Sequence, residues 1–264
     1  MSGPQYEVYA IKYAHHARRA SENFIGGDPH DGPMPLDYFV WLIRGNDGAG
    51  AREIVVDTGF SAATAARRQR DHLRCPTEGL RLLGCDARTV KDAVITHLHY
   101  DHVGNFDLFP AASFHLQDNE MRYATGRHMS QPVFGGAFDV EDVVGMVRSN
   151  YAGRVRFHDG DATIAPGVSL HLIGGHTMGL QVVRVQTRRG AVVLASDASH
   201  FYANMEQVRP FPIVFNVAEM VDGYQRLRAL AESPAHIIPG HDPLVLARYA
   251  PPDSALQGIV ARLD

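Results

Sequence analysis

The sequence predicts an α/β fold in which two β-sheets pack together and helices lie outside them. Two observations carry that expectation. Apolar stretches short enough for strands fall into two groups, with helical periodicity between them and again before the last strand. A chain that runs strands, helices, strands, helix, strand fits layered sheets with helices on their outer faces. In addition, the 264 residues are 45% apolar and 20% charged, an ordinary globular composition with enough chain to bury a core without disulfide staples.

The elements follow in order. Residues 5–13 and 38–44 alternate aromatic and β-branched residues and are read as the first two strands. Gly26, Gly27, Pro29, Gly32, Pro33 and Pro35 make a long loop between them. Glu53–Asp57 is a short buried strand ending in Asp57-Thr58-Gly59. Ser61 to about Leu73, rich in Ala and Arg, is read as a helix, and 77–84 as a second one stopped by Gly84. Ala93–Thr96 and Ser113–Leu116 are strands, Asp118–Ala124 a helix, and 125–138 a loop with Pro132, Gly135 and Gly136. Val140, Val143, Val144 and Val147 recur at helical spacing behind an acidic first turn of Asp139, Glu141 and Asp142, so this stripe is assigned to the core. Strands are expected at 154–157, 168–173, 180–187 and 191–196. Val217, Met220, Val221, Tyr224, Leu227 and Leu230 share one helix face, and 236–238 form a last strand. No repeat or Gly/Ser linker interrupts the chain, so residues 1–264 are read as one domain.

Lys and Arg total 25 against 29 Asp and Glu, a net charge of −4 that disfavours nucleic acid and acidic membranes as partners. No apolar run is long enough for a membrane span, and the N-terminus lacks a basic region followed by an apolar run. Two cysteines, Cys75 and Cys85, make no disulfide framework and are read as reduced thiols of a cytoplasmic chain. Arg67-Arg68 and Arg188-Arg189 are assigned to solvated surface.

The chemistry lies in the histidines. Thr96-His97-Leu98-His99-Tyr100-Asp101-His102 packs three imidazoles and a carboxylate into a turn after a strand. Imidazole and carboxylate suit zinc and similar divalent metals. Alternation puts His97 and His99 on one side, with Asp101 and His102 able to reach a second position nearby. His176 in Gly-Gly-His-Thr, Asp197 in Ser-Asp-Ala and His241 in Pro-Gly-His-Asp each follow a buried strand, where open sheets place their sites.

This joint pattern, from Asp57-Thr58-Gly59 to Gly240-His241, resembles the metallo-β-lactamase superfamily. The resemblance implies an αββα sandwich with two divalent metals, zinc by default, at one edge of the paired sheets. His97, His99 and His176 would bind the first metal, Asp101, His102 and His241 the second, and Asp197 both. Asp57 would be a buried structural carboxylate rather than a ligand.

Within the superfamily, Ser-Asp-Ala-Ser at 196–199, His-Leu-His-Tyr-Asp-His at 97–102 and the short tail after His241 are most similar to the N-acyl-homoserine lactonase-like group. Gly104-Asn105 replaces the Gly-Gly common there. His200 stands where many members have tyrosine, with Tyr202 two residues on. The stretch between His102 and His176 is long, so 125–150 is read as an insert at the substrate pocket. The resemblance implies a small-molecule lactone opened by a metal-bridging hydroxide. His200 or Tyr202 would hydrogen-bond the oxyanion, and Asp101 would pass a proton to the leaving oxygen. Hydrolysis of another bond, such as an amide, a thioester or a ring intermediate, is the alternative. A homodimer is expected by resemblance alone. Tyr100, Phe106, Phe109, Phe134, Phe138 and Phe201 are candidates for a substrate pocket and Phe24 for a lid, with His30 and His128 in loops that would approach the site.

Overall fold

The structure is a computed structural model that describes residues 4–46, 48 and 50–264. Its strands are β1 (Tyr6–His16), β2 (Leu36–Asn46), β3 (Ala51–Val56), β4 (Asp71–His72), β5 (Asp92–Val94), β6 (Ser113–Gln117), β7 (Val155–His158), β8 (Ala162–Ala165), β9 (Val168–Leu172), β10 (Gln181–Thr187), β11 (Gly190–Ser196), β12 (Ile237–Pro239) and β13 (Val260–Arg262). One sheet has the order β13-β1-β2-β3-β5-β6-β7, with β4 paired to β1, and the other β12-β11-β10-β9-β8. β3, β5, β6 and β7 are mutually parallel, as are β11 and β12. The chain segments leaving the C-terminal ends of β3, β5, β11 and β12 carry Asp57, the His97–His102 motif, Asp197 and His241.

Both sheets contribute to one apolar core, in which Val8, Ile11, Phe39, Trp41, Val55, Val94, Val183 and Leu194 are buried. Each such side chain stabilises the fold by about 1.5–3 kcal/mol relative to exposure. Polar bonds join the sheets close to the motif. Gln181 Nε2 donates to the Ile95 carbonyl at 2.8 Å, and the Thr96 and Ser196 hydroxyl oxygens are 2.9 Å apart.

The structure shortens one helix. Ser61 caps it, and it ends at Arg68 rather than about Leu73, because Gln69 turns into the left-handed region (φ 56°). Asp71–His72 then pair with β1. The segment 125–138 is less irregular than expected, with a 3-10 turn at Arg127–Ser130 and a helical turn at Pro132–Gly135. β8 and β13 lack enough alternation to be read from sequence.

The valine stripe is only partly core. Val143 and Met146 are buried on the Val140–Tyr151 helix, but Val140 is 71% exposed. Gly145 admits the Phe106 ring, which a Cβ there would meet at 2.2 Å. Burial, reinforced by Asp139, pushes the Asp142 carboxyl up to about 7, and its Oδ2 is buried without a partner. The folded chain therefore keeps this proton up to about pH 7, whereas the unfolded chain releases it near 3.8, so stability is lost as pH rises between those values. Asp142→Asn is expected to raise the melting temperature at pH 8 and to change it little at pH 4, which thermal unfolding at the two pH values checks.

Cys75 and Cys85 are free, and no helix among the described residues is long and apolar enough to cross a membrane. The arginine pairs are not simply solvated. Arg68 donates to the Gly136 and Phe138 carbonyls, and Arg67 pairs with Asp139. Arg188 and Arg189 hold the C-terminus through Asp264 and the Leu263 carbonyl.

Candidate metal centre

The site is built by both sheets. The loop after β5 brings His97, His99, Asp101 and His102, and the other sheet brings His176, Asp197, His200 and His241. All eight are buried. His97, His99, His176 and Asp197 offer ligand atoms within 4.8 Å of one another, as do Asp101, His102 and His241. Asp197 touches both groups. Its Oδ2 lies 3.1 Å from His176 Nε2 and 3.0 Å from His200 Nε2, and its Oδ1 lies 2.9 Å from His241 Nε2 and 3.4 Å from His102 Nε2.

Outward contacts set the tautomers. His102 Nδ1 donates to Asp57 Oδ2 at 2.7 Å, His176 Nδ1 to the Ile213 carbonyl at 2.7 Å, and His241 Nδ1 to the Asp37 carbonyl at 3.0 Å. Each of these rings then turns the Nε2 lone pair inward, the arrangement in which a carboxylate or carbonyl behind a histidine raises its strength as a ligand. His99 Nδ1 and His176 Nε2 face each other at 3.0 Å, and Nε2 of His97 and of His102 has no hydrogen-bond partner. Lone pairs converging in a buried space need a cation between them.

The electrostatics agree with that chemistry. Burial holds His97 and His99 well below the ordinary imidazole range, the neutral state that a metal requires. Burial opposes charge on Asp197, yet the His200, His241, His102 and His176 rings hold its carboxyl well below the usual range. On His102, burial is outweighed by Asp197, Asp101 and Asp57, and the ring is pushed well up. His241 is raised for a related reason, with Asp197 outweighing burial. The protons drawn onto these two rings sit where a cation would. An imidazole and carboxylate donor set of this kind fits two divalent ions.

Two backbone features hold the donors in place. Asp57 (φ 60°) and Ser196 (φ 44°) adopt left-handed conformations beside the site, a costly geometry for non-glycine residues. Gly240 lies so close that a Cβ would stand 2.9 Å from Asp197 Oδ1.

The cluster opens onto a cavity of about 280 Å³, lined by His99, Asp101, His176, Asp197, His200 and His241 among others. Pro132, Val133, Gly136 and Ala137 form part of its wall, so the 125–150 segment does border the pocket. His200 lines the cavity, stacked 3.7 Å from the Phe211 ring, and burial pushes it down to about 3. Tyr202 does not line it; its ring lies under Arg248 at 3.7 Å.

The aromatic candidates divide in the same way. Tyr100 borders the cavity, and Phe138 stands edge-on to His99 at 4.6 Å. Phe109 and Phe201 are buried in the core, Phe106 packs on Gly145, and Phe24 is buried beneath Arg209 rather than forming a lid. Phe134 and His128 pack with Phe215, and His30 is exposed.

Sequence reasoning missed Tyr38, Phe211, Arg18 and Arg70 on the cavity wall. It also missed Glu120, fully buried, whose carboxylate accepts from Leu98 N, Thr177 Oγ1 and Gly179 N at 2.6–3.0 Å. That carboxylate ties the His97–His99 loop to the His176 loop. An acid in the first turn of a helix is too ordinary to signal this role.

A family profile described as the metallo-beta-lactamase superfamily matches residues 34–248. The chain belongs to this superfamily. Among its relatives, the N-acyl homoserine lactonase AttM of Azorhizobium caulinodans is 28% identical over 240 residues, 82% of this chain and 85% of that protein. The crystal structure of a quorum-quenching N-acyl homoserine lactone lactonase superposes with a TM-score of 0.74 at 21% identity, covering 91% of this chain and 93% of the other. AidC, a dizinc quorum-quenching lactonase, superposes at 0.66 with 16% identity, covering 91% and 89%. The α/β fold with two sheets and flanking helices is that of the metallo-beta-lactamase superfamily, and the chain is an enzyme of its metal-dependent hydrolase type.

Proposed function

We propose that this metallo-beta-lactamase-fold chain opens lactones, with N-acyl-homoserine lactones as the first substrates to try. The observation that carries the proposal is the convergence of two buried donor groups on one carboxylate, Asp197. His97, His99 and His176 would hold one divalent ion and Asp101, His102 and His241 another, with Asp197 shared. When bound, such ions, zinc by default, lower the pKa of water and polarise a carbonyl.

The chain's own residues do the rest. Water adds across the ring ester: a C–O bond to the water oxygen forms, the ring C–O bond breaks, and the ring oxygen takes a proton. The Asp101 carboxylate, at the cavity wall and 3.7 Å from His102 Nε2, is placed to carry that proton. His200, its ring flat against Phe211 and its Nε2 3.0 Å from Asp197 Oδ2, would turn that N–H from the carboxylate to the oxyanion once Asp197 is bound to the ions.

His200→Ala is expected to keep its metals and to lose roughly 10²–10³-fold in kcat. Metal content and turnover of the purified variant check this, and unchanged turnover removes His200 from the scheme. The test of the function is acid release by the zinc-loaded protein from a medium-chain N-acyl-homoserine lactone, with a chelator control. Chelator-sensitive release is expected. Absence of release with two metals bound would transfer the assignment to hydrolysis of an amide, a thioester or another ring.

A further inference from the structure

One side of the cavity is cationic, and among the described residues no carboxylate forms an ion pair with it. Arg18, Arg68 and Arg70 are half-buried and border the same cavity as His99 and Asp197. Arg68 lies 3.9 Å over the Tyr100 ring and donates to two main-chain carbonyls, Gly136 and Phe138, both at 3.0 Å. Arg70 donates from Nε to the Tyr100 hydroxyl at 3.2 Å and from NH1 to the Arg68 carbonyl. Arg18 donates from Nε to the Asn23 side-chain oxygen at 2.7 Å and from NH2 to the Glu22 carbonyl. These partners are all neutral. The Glu22 carboxylate accepts from the Arg19 N–H at 2.7 Å and acts on Arg18 through space without forming an ion pair with it.

Other half-buried arginines, such as Arg154 and Arg184, also donate to main-chain carbonyls without an ion pair among the described residues, but Arg18, Arg68 and Arg70 do so at the border of the cavity. Arg44, Arg67, Arg209 and Arg262 each reach a carboxylate, and Arg18, Arg68 and Arg70 form no ion pair among the described residues. Asp101 and Asp197, the carboxylates in the cavity, belong to the metal cluster. Guanidinium groups that border a cavity without a counter-charge favour an anion that accepts their remaining N–H groups. Tyr100, which touches both Arg68 and Arg70, sits in sequence between the ligand residues His99 and Asp101. The cationic wall is therefore one side chain away from the reacting centre. A cavity of about 280 Å³ also favours a small ligand over a long apolar chain.

We infer that the preferred substrate is an anionic lactone, one that carries a carboxylate a few bonds from the scissile ester, with Arg18, Arg68 and Arg70 recognising that second charge. This inference rests on the lactone-opening reading above.

Two measurements on the zinc-loaded protein test the inference separately from that reading. The first compares kcat/KM for a γ-butyrolactone bearing a ring carboxylate with that for its carboxamide, which has nearly the same shape without the charge. The carboxylate is expected to be preferred by roughly tenfold or more, the scale of one charge-assisted hydrogen bond, and the preference to shrink as salt is added. In Arg68→Gln and Arg70→Gln the ratio is expected to fall toward one, and Arg68→Lys and Arg70→Lys to recover part of it. The second measurement is calorimetric binding of succinate against butyrate, which needs no turnover. Succinate is expected to bind more tightly to the wild type, with the advantage reduced in the Gln variants.

Equal kcat/KM for the two lactones, or equal binding of the two acids, overturns the inference. If neither lactone is opened while succinate keeps its arginine-dependent advantage, lactone opening is the claim that fails and the cationic site stands.

Discussion

Replacing Asp197 with alanine is expected to leave the folded protein with fewer than two bound metals and to reduce the proposed lactone opening by roughly 10³-fold or more, since two such ions would supply several kcal/mol of transition-state stabilisation and each 1.4 kcal/mol is tenfold. The reason is topological as well as electrostatic. Among the described residues, Asp197 is the one carboxylate within 3.4 Å of nitrogens from both candidate ligand groups. Four histidine rings hold it ionised against the cost of burial. Asp197→Asn keeps the shape and removes the charge, so the pair of variants separates packing from ligation. If charge is what matters, asparagine performs like alanine in both metal content and turnover. Two metals retained in Asp197→Ala would end its assignment as the shared ligand.

The second large effect is expected at Asp57, which is not itself a ligand candidate. It is fully buried and accepts three hydrogen bonds, from Thr96 N at 2.8 Å, Thr96 Oγ1 at 2.8 Å and His102 Nδ1 at 2.7 Å. Burial raises its pKa, while His102 and Thr96 pull the other way. Alanine here would strand three donors and place a non-glycine residue at φ 60° without the side chain that tolerates that region. The expected cost is about 3–5 kcal/mol. For a chain of this size that lowers the melting temperature by roughly 6–20 °C, at about 2–4 °C per kcal/mol.

Asp57→Asn suits the left-handed backbone and loses less, but its amide presents donors to a donor and leaves His102 poorly oriented. Affinity for the metal at His102 is expected to fall about 10–100-fold in either variant. Thermal unfolding of the chelated protein reads the first effect and zinc titration the second. A chelated Asp57→Ala protein that melts with the wild type would show that the carboxylate carries no structural load.

The clustering of these side chains was legible in the sequence because candidate metal ligands are of few residue types and stand out at strand ends. The His97–His102 motif, His176, Asp197 and His241 stand out for that reason, and the strands before them are apolar runs of unmistakable length. What could not be read depends on tertiary neighbours. Gln69 ends a helix whose Ala and Arg content favoured continuation, because its backbone turns left-handed and the next residues pair with β1. Val140 has the spacing of a core residue, but it sits in the first turn of its helix and is exposed. Phe24 and Phe109 carry the same residue type as a pocket wall and differ from one only in what packs around them. Arg68 read as a solvated charge because neither Tyr100 nor the Gly136 and Phe138 carbonyls are near it in sequence.

The division of the donors between the two sheets has a consequence for the life of the protein. Any ion held by His97, His99 and His176 joins loops that belong to different sheets, and so acts as a clasp across their seam. Ligand bound only by the native state adds about 4 kcal/mol when its free concentration is a thousandfold above its dissociation constant. Scarcity of metal would therefore loosen the seam as well as silence the chemistry. Proteases act on transiently opened chains, so the same scarcity would shorten the time each molecule survives.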